Sequence, residues 1–110
     1  MRRFLFSAVL AMLPIAVAAA NLTPSIVLAT PSTYDGKSIA VSGTVSDFTT
    51  RNTDLGNFTK FSLCDTKCIT VLDKGQQSHA DKSTVTVTGT FHASFKGPHK
   101  VWTDVLMIGF

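Results

Sequence analysis

The sequence predicts an all-β domain of five strands, preceded by one short helix. Apolar and polar side chains alternate with a period of two in several segments, as they do in strands with one buried face. Threonine, valine and isoleucine dominate these segments, and such residues favour extended backbone. Residues 41–45 and 87–91 are near copies of each other, each with a central glycine. A glycine inside a strand marks a bend or a bulge, so both segments are expected to curve.

The short helix is predicted over Pro24–Ala29, because proline is tolerated in a first helical turn and three apolar residues follow. Pro31 is expected to end it. The five strands are predicted over residues 39–50, 58–64, 68–72, 83–95 and 101–108.

The connections follow from the residues between these strands. Only three residues separate the second strand from the third, so the two are expected to form a hairpin. Residues 74–82 are polar and predict a loop or a single helical turn. Gly97 and Pro98 predict a turn before the last strand.

The first twenty residues have the composition of an export signal. Two arginines follow the first methionine, and residues 4–20 are almost entirely apolar and end in small residues. Cleavage is expected after Ala18 or Ala20, because each completes a small-x-small pattern. The run is short for a membrane span. The sequence therefore predicts a signal peptide over residues 1–20 that directs export by the general secretory route and is then cleaved. Residues 21–110 are predicted to form one periplasmic or secreted domain.

Charge is nearly balanced in this predicted mature domain. The whole chain has a formal net charge of +3, and two of its positive charges belong to the predicted signal. Eight lysine and arginine residues against seven aspartates then leave a net charge of +1. Proteins that bind nucleic acid usually present a basic face to the phosphates. The balance therefore disfavours nucleic acid as the ligand.

Cys64 and Cys68 flank the turn of the predicted hairpin. Opposite residues of an antiparallel pair have α-carbons about 4.5–5.5 Å apart, which a disulfide can bridge. An exported protein also folds in an oxidising compartment. We expect a structural disulfide, with a redox-active or free pair and a metal site as alternatives.

The strand pattern resembles the OB-fold, in particular small exported bacterial OB-fold proteins related to the tRNA-anticodon and helicase-type nucleic-acid-binding family. The matching stretches are residues 34–45, 61–65 and 85–91. The resemblance covers roughly residues 24–110 and implies a five-stranded Greek-key barrel in which the first and fourth strands pair. In such a barrel Gly43 and Gly89 are expected to be paired bending points.

OB-folds bind ligands on the outer face of strands one to three and on the flanking loops. Aromatic side chains there can stack on a ligand, and cationic side chains can hold phosphates. The candidate ligand-binding residues are Phe48, Arg51, Phe58, Lys60, Lys96 and Lys100. The alternative is an ordinary polar face, with Phe48 and Phe58 in the core.

The sequence carries no recognisable catalytic or cofactor motif. It contains no glutamate, no G-x-S-x-G, no phosphate-binding glycine loop and no H-E-x-x-H. His79, His92 and His99 match no metal-ligand spacing and are expected to face solvent. No enzymatic activity, cofactor or metal is therefore predicted.

The functional prediction is an exported, non-enzymatic binding module. Its expected ligand is an oligosaccharide, a small cation or another envelope protein. Single-stranded nucleic-acid binding through the face of strands one to three is the alternative that the resemblance implies.

Overall fold

The computed structural model describes residues 22–53, 56–97 and 100–110. Two short helices precede five strands, and their bounds are α1 Pro24–Ala29, α2 Pro31–Tyr34, β1 Ser38–Thr53, β2 Gly56–Cys64, β3 Cys68–Asp73, β4 Thr84–Lys96 and β5 Val101–Ile108. The predicted signal peptide, both of its expected cleavage positions, and the residues Pro98 and His99 lie outside the described ranges.

The five strands form one sheet that closes on itself in the order β1-β2-β3-β5-β4. The pairs β1–β2, β1–β4, β2–β3 and β4–β5 are antiparallel, and β3–β5 is parallel. The all-β prediction is confirmed, as are the hairpin of the second and third strands and the pairing of the first strand with the fourth.

Two strands, β1 and β4, each pair with one neighbouring strand along their first part and with another along the rest. β1 pairs with β4 from Ser38 to Thr44 and with β2 from Thr44 onward. β4 pairs with β1 as far as Thr90, and from Thr90 onward it pairs with β5. The changes of partner fall at Thr44 and Thr90, each of which directly follows a glycine, Gly43 or Gly89.

Both glycines lie where another strand's backbone comes very close. A Cβ atom on Gly43 would lie 2.9 Å from the carbonyl oxygen of Cys64, and one on Gly89 would lie 2.6 Å from that of Met107. The two glycines do not face each other, because Gly43 pairs with Val85 and Gly89 with Ile39. The two expected bending points therefore lie on paired strands, although not opposite each other. Their separate positions follow from the two separate points at which β1 and β4 change partner.

Several element bounds differ from the sequence prediction. Pro31 opens the second helix, α2, because a proline that ends one helix also fits the first turn of the next. β1 and β2 continue beyond the ring as a two-stranded ladder that ends at the pair Thr53 and Gly56. Residues 74–82 form turns and an extended loop, which is one of the two alternatives predicted for them.

The inner core fills the ring of strands. Its buried members are Val27, Val41, Val45, Phe61, Leu63, Ile69, Val71, Val87, Phe91 and Leu106. Val27 comes from α1, so this helix packs over one end of the ring. Burial of one such side chain stabilises the fold by about 1.5–3 kcal/mol.

A second apolar cluster lies on the outside of the ring. Phe58, Leu72, Val105 and Met107 are buried together, and we call them the outer cluster. Leu72 and Met107 face each other across the parallel pair, and each alternates with inner-core neighbours along its strand. The sheet is therefore apolar on both faces along β3 and β5.

Candidate functional site

Three hydroxyl side chains form a row across the outer face of β1, β2 and β3. Ser46 lies opposite Ser62, and Ser62 lies opposite Thr70. All three are half-buried, and each is next in the chain to an inner-core residue, so they point outward. This hydroxyl row can donate and accept hydrogen bonds at the surface where ligand binding was expected.

Phe58, the first predicted stacking residue, belongs to the outer cluster and is only 1% exposed. The ring of Phe110 lies edge-on to it, with 5.7 Å between the ring centroids. The prediction of Phe58 as an exposed stacking surface is wrong, because the outward apolar residues of three strands pack together and the last residue of the chain contacts them.

Phe48, the second predicted stacking residue, packs towards the inner core. The register of β1 and β2 shifts between Ser46 and Thr49, and Asp47 in this bulge has φ 56°. An extra residue in one strand reverses the side on which the following residues lie. The ring of Phe48 therefore stacks on Phe61, with centroids 5.9 Å apart, and the prediction of an outer Phe48 is wrong.

The four predicted cationic residues form two groups. Arg51, on β1, lies opposite Phe58. Lys60, on β2, lies two residues after Phe58 and opposite Leu72. Both cations therefore flank the outer cluster from the β1–β2 side. Lys96 and Lys100 are exposed at the facing ends of β4 and β5. The two groups thus lie on different strands of the ring, Arg51 and Lys60 on β1 and β2, and Lys96 and Lys100 at the ends of β4 and β5.

Trp102 is an aromatic residue of this surface that lies in the predicted fifth strand but was not among the predicted binding residues. It is half-buried, packs against the outer cluster, and faces Phe95 across the β4–β5 pair. The Nζ atom of Lys100 lies 3.9 Å from the centre of the Trp102 ring. An aromatic face that accepts a cation in this way also suits a planar or ring-shaped ligand.

The two described histidines lie apart. His79, in the loop after β3, is half-buried with its ring 5.3 Å from that of Phe61, and its Nε2 atom has no hydrogen-bond partner. His92 lies on β4, 5.7 Å from the ring of Phe95. Both rings contact aromatic neighbours. The expectation of a solvent-facing side chain is wrong for His79, whereas His92 remains half-exposed on β4. Among residues 22–53, 56–97 and 100–110, no three potential metal ligands of the His, Cys, Asp and Glu types come together.

Cys64 and Cys68 are opposite each other in the β2–β3 register and lie at disulfide-bonding distance, with α-carbons 4.0 Å apart. The turn that they close carries Asp65. Its carboxylate accepts hydrogen bonds from the backbone N–H and the hydroxyl of Ser25, in the first turn of α1. The Ser25 hydroxyl and further hydrogen bonds lower the pKa of Asp65 from 3.8 to about 2. The disulfide-closed turn therefore anchors α1 against the ring.

Comparison of the chain with protein-family models, with curated proteins and with solved structures finds no match. Neither helix of the described ranges has the length and apolar character needed to cross a membrane.

Proposed function

We propose that this chain is an exported, non-enzymatic OB-fold protein that binds an oligosaccharide on the outer face of its strands. The strand order β1-β2-β3-β5-β4, with its single parallel pair, is the observation that carries the proposal. OB-folds are five-stranded Greek-key barrels that bind oligonucleotides or oligosaccharides on strands two and three and on the β1–β2 and β4–β5 loops. In this chain the same regions carry the hydroxyl row and Trp102.

The surface chemistry favours a sugar over a nucleic acid. A sugar ring offers hydroxyl groups at its edge and C–H groups on its face, which match the hydroxyl row and the Trp102 ring. Two separate pairs of cations and a net charge of +1 over residues 21–110 supply little attraction for a polyphosphate. In the bound state the ligand would replace the Lys100 ammonium group on the Trp102 ring.

The hydrogen bonds of four of the seven aspartates support a non-enzymatic role. Asp35, Asp65, Asp73 and Asp81 each accept a hydrogen bond from a backbone N–H group. Aspartates of this kind stabilise turns and chain connections. They are held in structural roles, whereas a catalytic carboxylate must be free to reach a substrate.

The Cys64–Cys68 pair supports export, because disulfides persist in oxidising compartments. Sequencing the N-terminus of the protein recovered from the periplasm or the medium tests this part. We expect the chain to begin at Ala19 or Asn21. An intact N-terminus in a cytoplasmic fraction would contradict export.

Binding is tested by titrating the exported protein with a panel of envelope oligosaccharides and, in parallel, with a fluorescent single-stranded oligonucleotide at two salt concentrations. For the best sugar we expect Trp102→Ala to weaken binding roughly tenfold and Trp102→Phe to restore most of it. Ile26→Ala is the control, because Ile26 is an exposed side chain of α1 that belongs to neither apolar cluster. Binding of the oligonucleotide alone, with a steep salt dependence, would favour nucleic acid instead.

A further inference from the structure

The outer face of β2 changes from a hydroxyl group to a cation along the strand. Side chains two residues apart in a strand share a face, so Ser62 and Lys60 point outward together, with α-carbons roughly 6.5–7 Å apart. Lys60 is half-buried, with Thr49 opposite it on β1 and Leu72 opposite it on β3. Lys60 therefore lies next to the hydroxyl row, on the surface where the proposed sugar ligand would bind.

Arg51 is a diagonal neighbour of Lys60 on the same face. Arg51 is exposed and lies opposite Phe58, two residues before Lys60 on β2. Diagonal neighbours of an antiparallel pair lie about 7–8 Å apart, a distance that long side chains span. We call Arg51 and Lys60 the cation pair. Their guanidinium and ammonium groups can both reach one anion held between them, and without that anion their like charges repel each other.

The residues opposite the cation pair in the strand register are aromatic, hydroxyl-bearing or aliphatic, and none is acidic. Asp73, on β3, is buried, and its carboxylate accepts hydrogen bonds from two backbone N–H groups of the turn that follows. Asp47 is exposed in the bulge of β1 and has no register partner. No carboxylate of the paired strand residues therefore competes for the cation pair.

We infer, on the basis of the proposed sugar-binding function, that the ligand is an acidic oligosaccharide whose rings carry carboxylates, as uronic acids do. A ring carboxylate is bound by the cation pair, while hydroxyl groups of the same sugar unit meet the hydroxyl row. A guanidinium group binds a carboxylate through two parallel hydrogen bonds, and the ammonium group adds a second positive charge. One carboxylate on a ring needs only one pair of cations, whereas a polyphosphate needs a continuous basic surface.

The test is a titration of the protein with a panel of uronic-acid oligomers, each compared with the same oligomer after its carboxylates have been reduced to alcohols. Reduction removes the charge and keeps the ring hydroxyls. We expect the acidic form of the best oligomer to bind about tenfold more tightly than its reduced form. This preference should fall as the salt concentration rises, because ions screen exposed charges.

Substitutions assign the preference to the cation pair. Lys60→Gln and Arg51→Gln should each remove most of the preference and change the affinity for the reduced oligomer less than twofold. Lys37→Gln is the matched control, because it makes the same change of charge at an exposed lysine before β1, at the end of that strand that pairs with β4. It should leave the preference unchanged.

Asp47→Asn should have the opposite effect. It removes a negative charge from the bulge beside this surface, and asparagine tolerates the φ of 56° found at Asp47. Affinity for the acidic oligomer should therefore rise about twofold, with no change for the reduced form.

Equal binding of the acidic and reduced forms would overturn the inference and leave sugar binding itself standing. Failure of both forms to bind would overturn sugar binding as well. Lys60→Arg keeps the charge and should keep the preference. If Lys60→Arg lost the preference as fully as Lys60→Gln does, the charge of Lys60 would not be its cause, and the inference would be wrong.

Discussion

Replacing Gly89 by alanine probes a close approach of two strands in the ring. The added Cβ would lie 2.6 Å from the carbonyl oxygen of Met107 and 2.8 Å from the Ile108 side chain. The contact with Met107 is to backbone, so a change of rotamer does not relieve it. β4 and β5 would have to separate by roughly half an ångström at this point.

The magnitude follows from two opposing terms. Forcing an extra methyl group into a packed site costs about 1–3 kcal/mol, and a backbone contact belongs at the upper end of that range. Alanine is favoured over glycine within a strand by about 0.5–1 kcal/mol. We therefore expect Gly89→Ala to lower the free energy of unfolding by about 2 kcal/mol. In a domain of this size the midpoint of thermal unfolding should fall by about 8–16 °C.

Urea unfolding followed by the fluorescence of Trp102 measures this loss. Gly75→Ala is the control, because its Cβ would meet only the Asp73 side chain, at 3.1 Å. That substitution should change stability by less than about 0.5 kcal/mol. If Gly89→Ala were as mild as Gly75→Ala, the close contact of β4 with β5 at this residue would be refuted.

Three further perturbations test separate parts of the structure. Replacing both Cys64 and Cys68 by serine should lower the free energy of unfolding by about 2 kcal/mol, which is the loop-entropy value for so small a ring. A reductant should have the same effect on the unsubstituted protein. An unchanged urea midpoint in either experiment would contradict the disulfide bond. Because the pKa of Asp65 falls from 3.8 to about 2 on folding, its contribution to stability should be complete above about pH 4 and be lost as the pH falls towards 2. Asp65→Asn should flatten that part of the pH profile of the thermal midpoint, and an unaltered profile would rule out the role of the carboxylate. Phe58→Ala should cost about 3–5 kcal/mol, as for a core aromatic, whereas a loss below 1 kcal/mol would place its ring at the surface.

Much of the fold follows from local patterns in the sequence. The alternation around Val41 and Val87 marks strands with one buried face, and their glycines mark the places where another strand approaches. The three-residue turn between Cys64 and Cys68 predicts the hairpin. The strand bounds were less accurate at the ends of β1 and β2, because the ladder beyond the ring depends on pairing between the two strands rather than on burial.

The outer cluster was missed although a signal for it exists. Residues 105–108 are apolar without interruption, and Val71 is followed directly by Leu72. Continuous apolar runs are typical of strands that are buried on both faces. This pattern could have shown that β3 and β5 carry apolar groups outside the ring as well as inside.

The side on which Phe48 lies could not be read from the alternation. Asp47 adopts a positive φ within the β1 bulge, and a bulge of this kind reverses the pattern for the residues that follow. The binding surface differed from the prediction for related reasons. Phe58 is buried within the outer cluster, Phe48 packs towards the inner core, and the β4–β5 pairing placed Trp102 against the outer cluster.

The parallel pairing of β3 with β5 tests the account most directly, because the sheet is open without it and it is the one parallel pair among the five strand pairs of the ring. We predict nuclear Overhauser contacts in solution between the backbone protons of Val71 and Leu106 and of Leu72 and Met107. If β5 shows contacts with β4 alone, the sheet is open, and both the ring and the binding surface proposed on it are wrong.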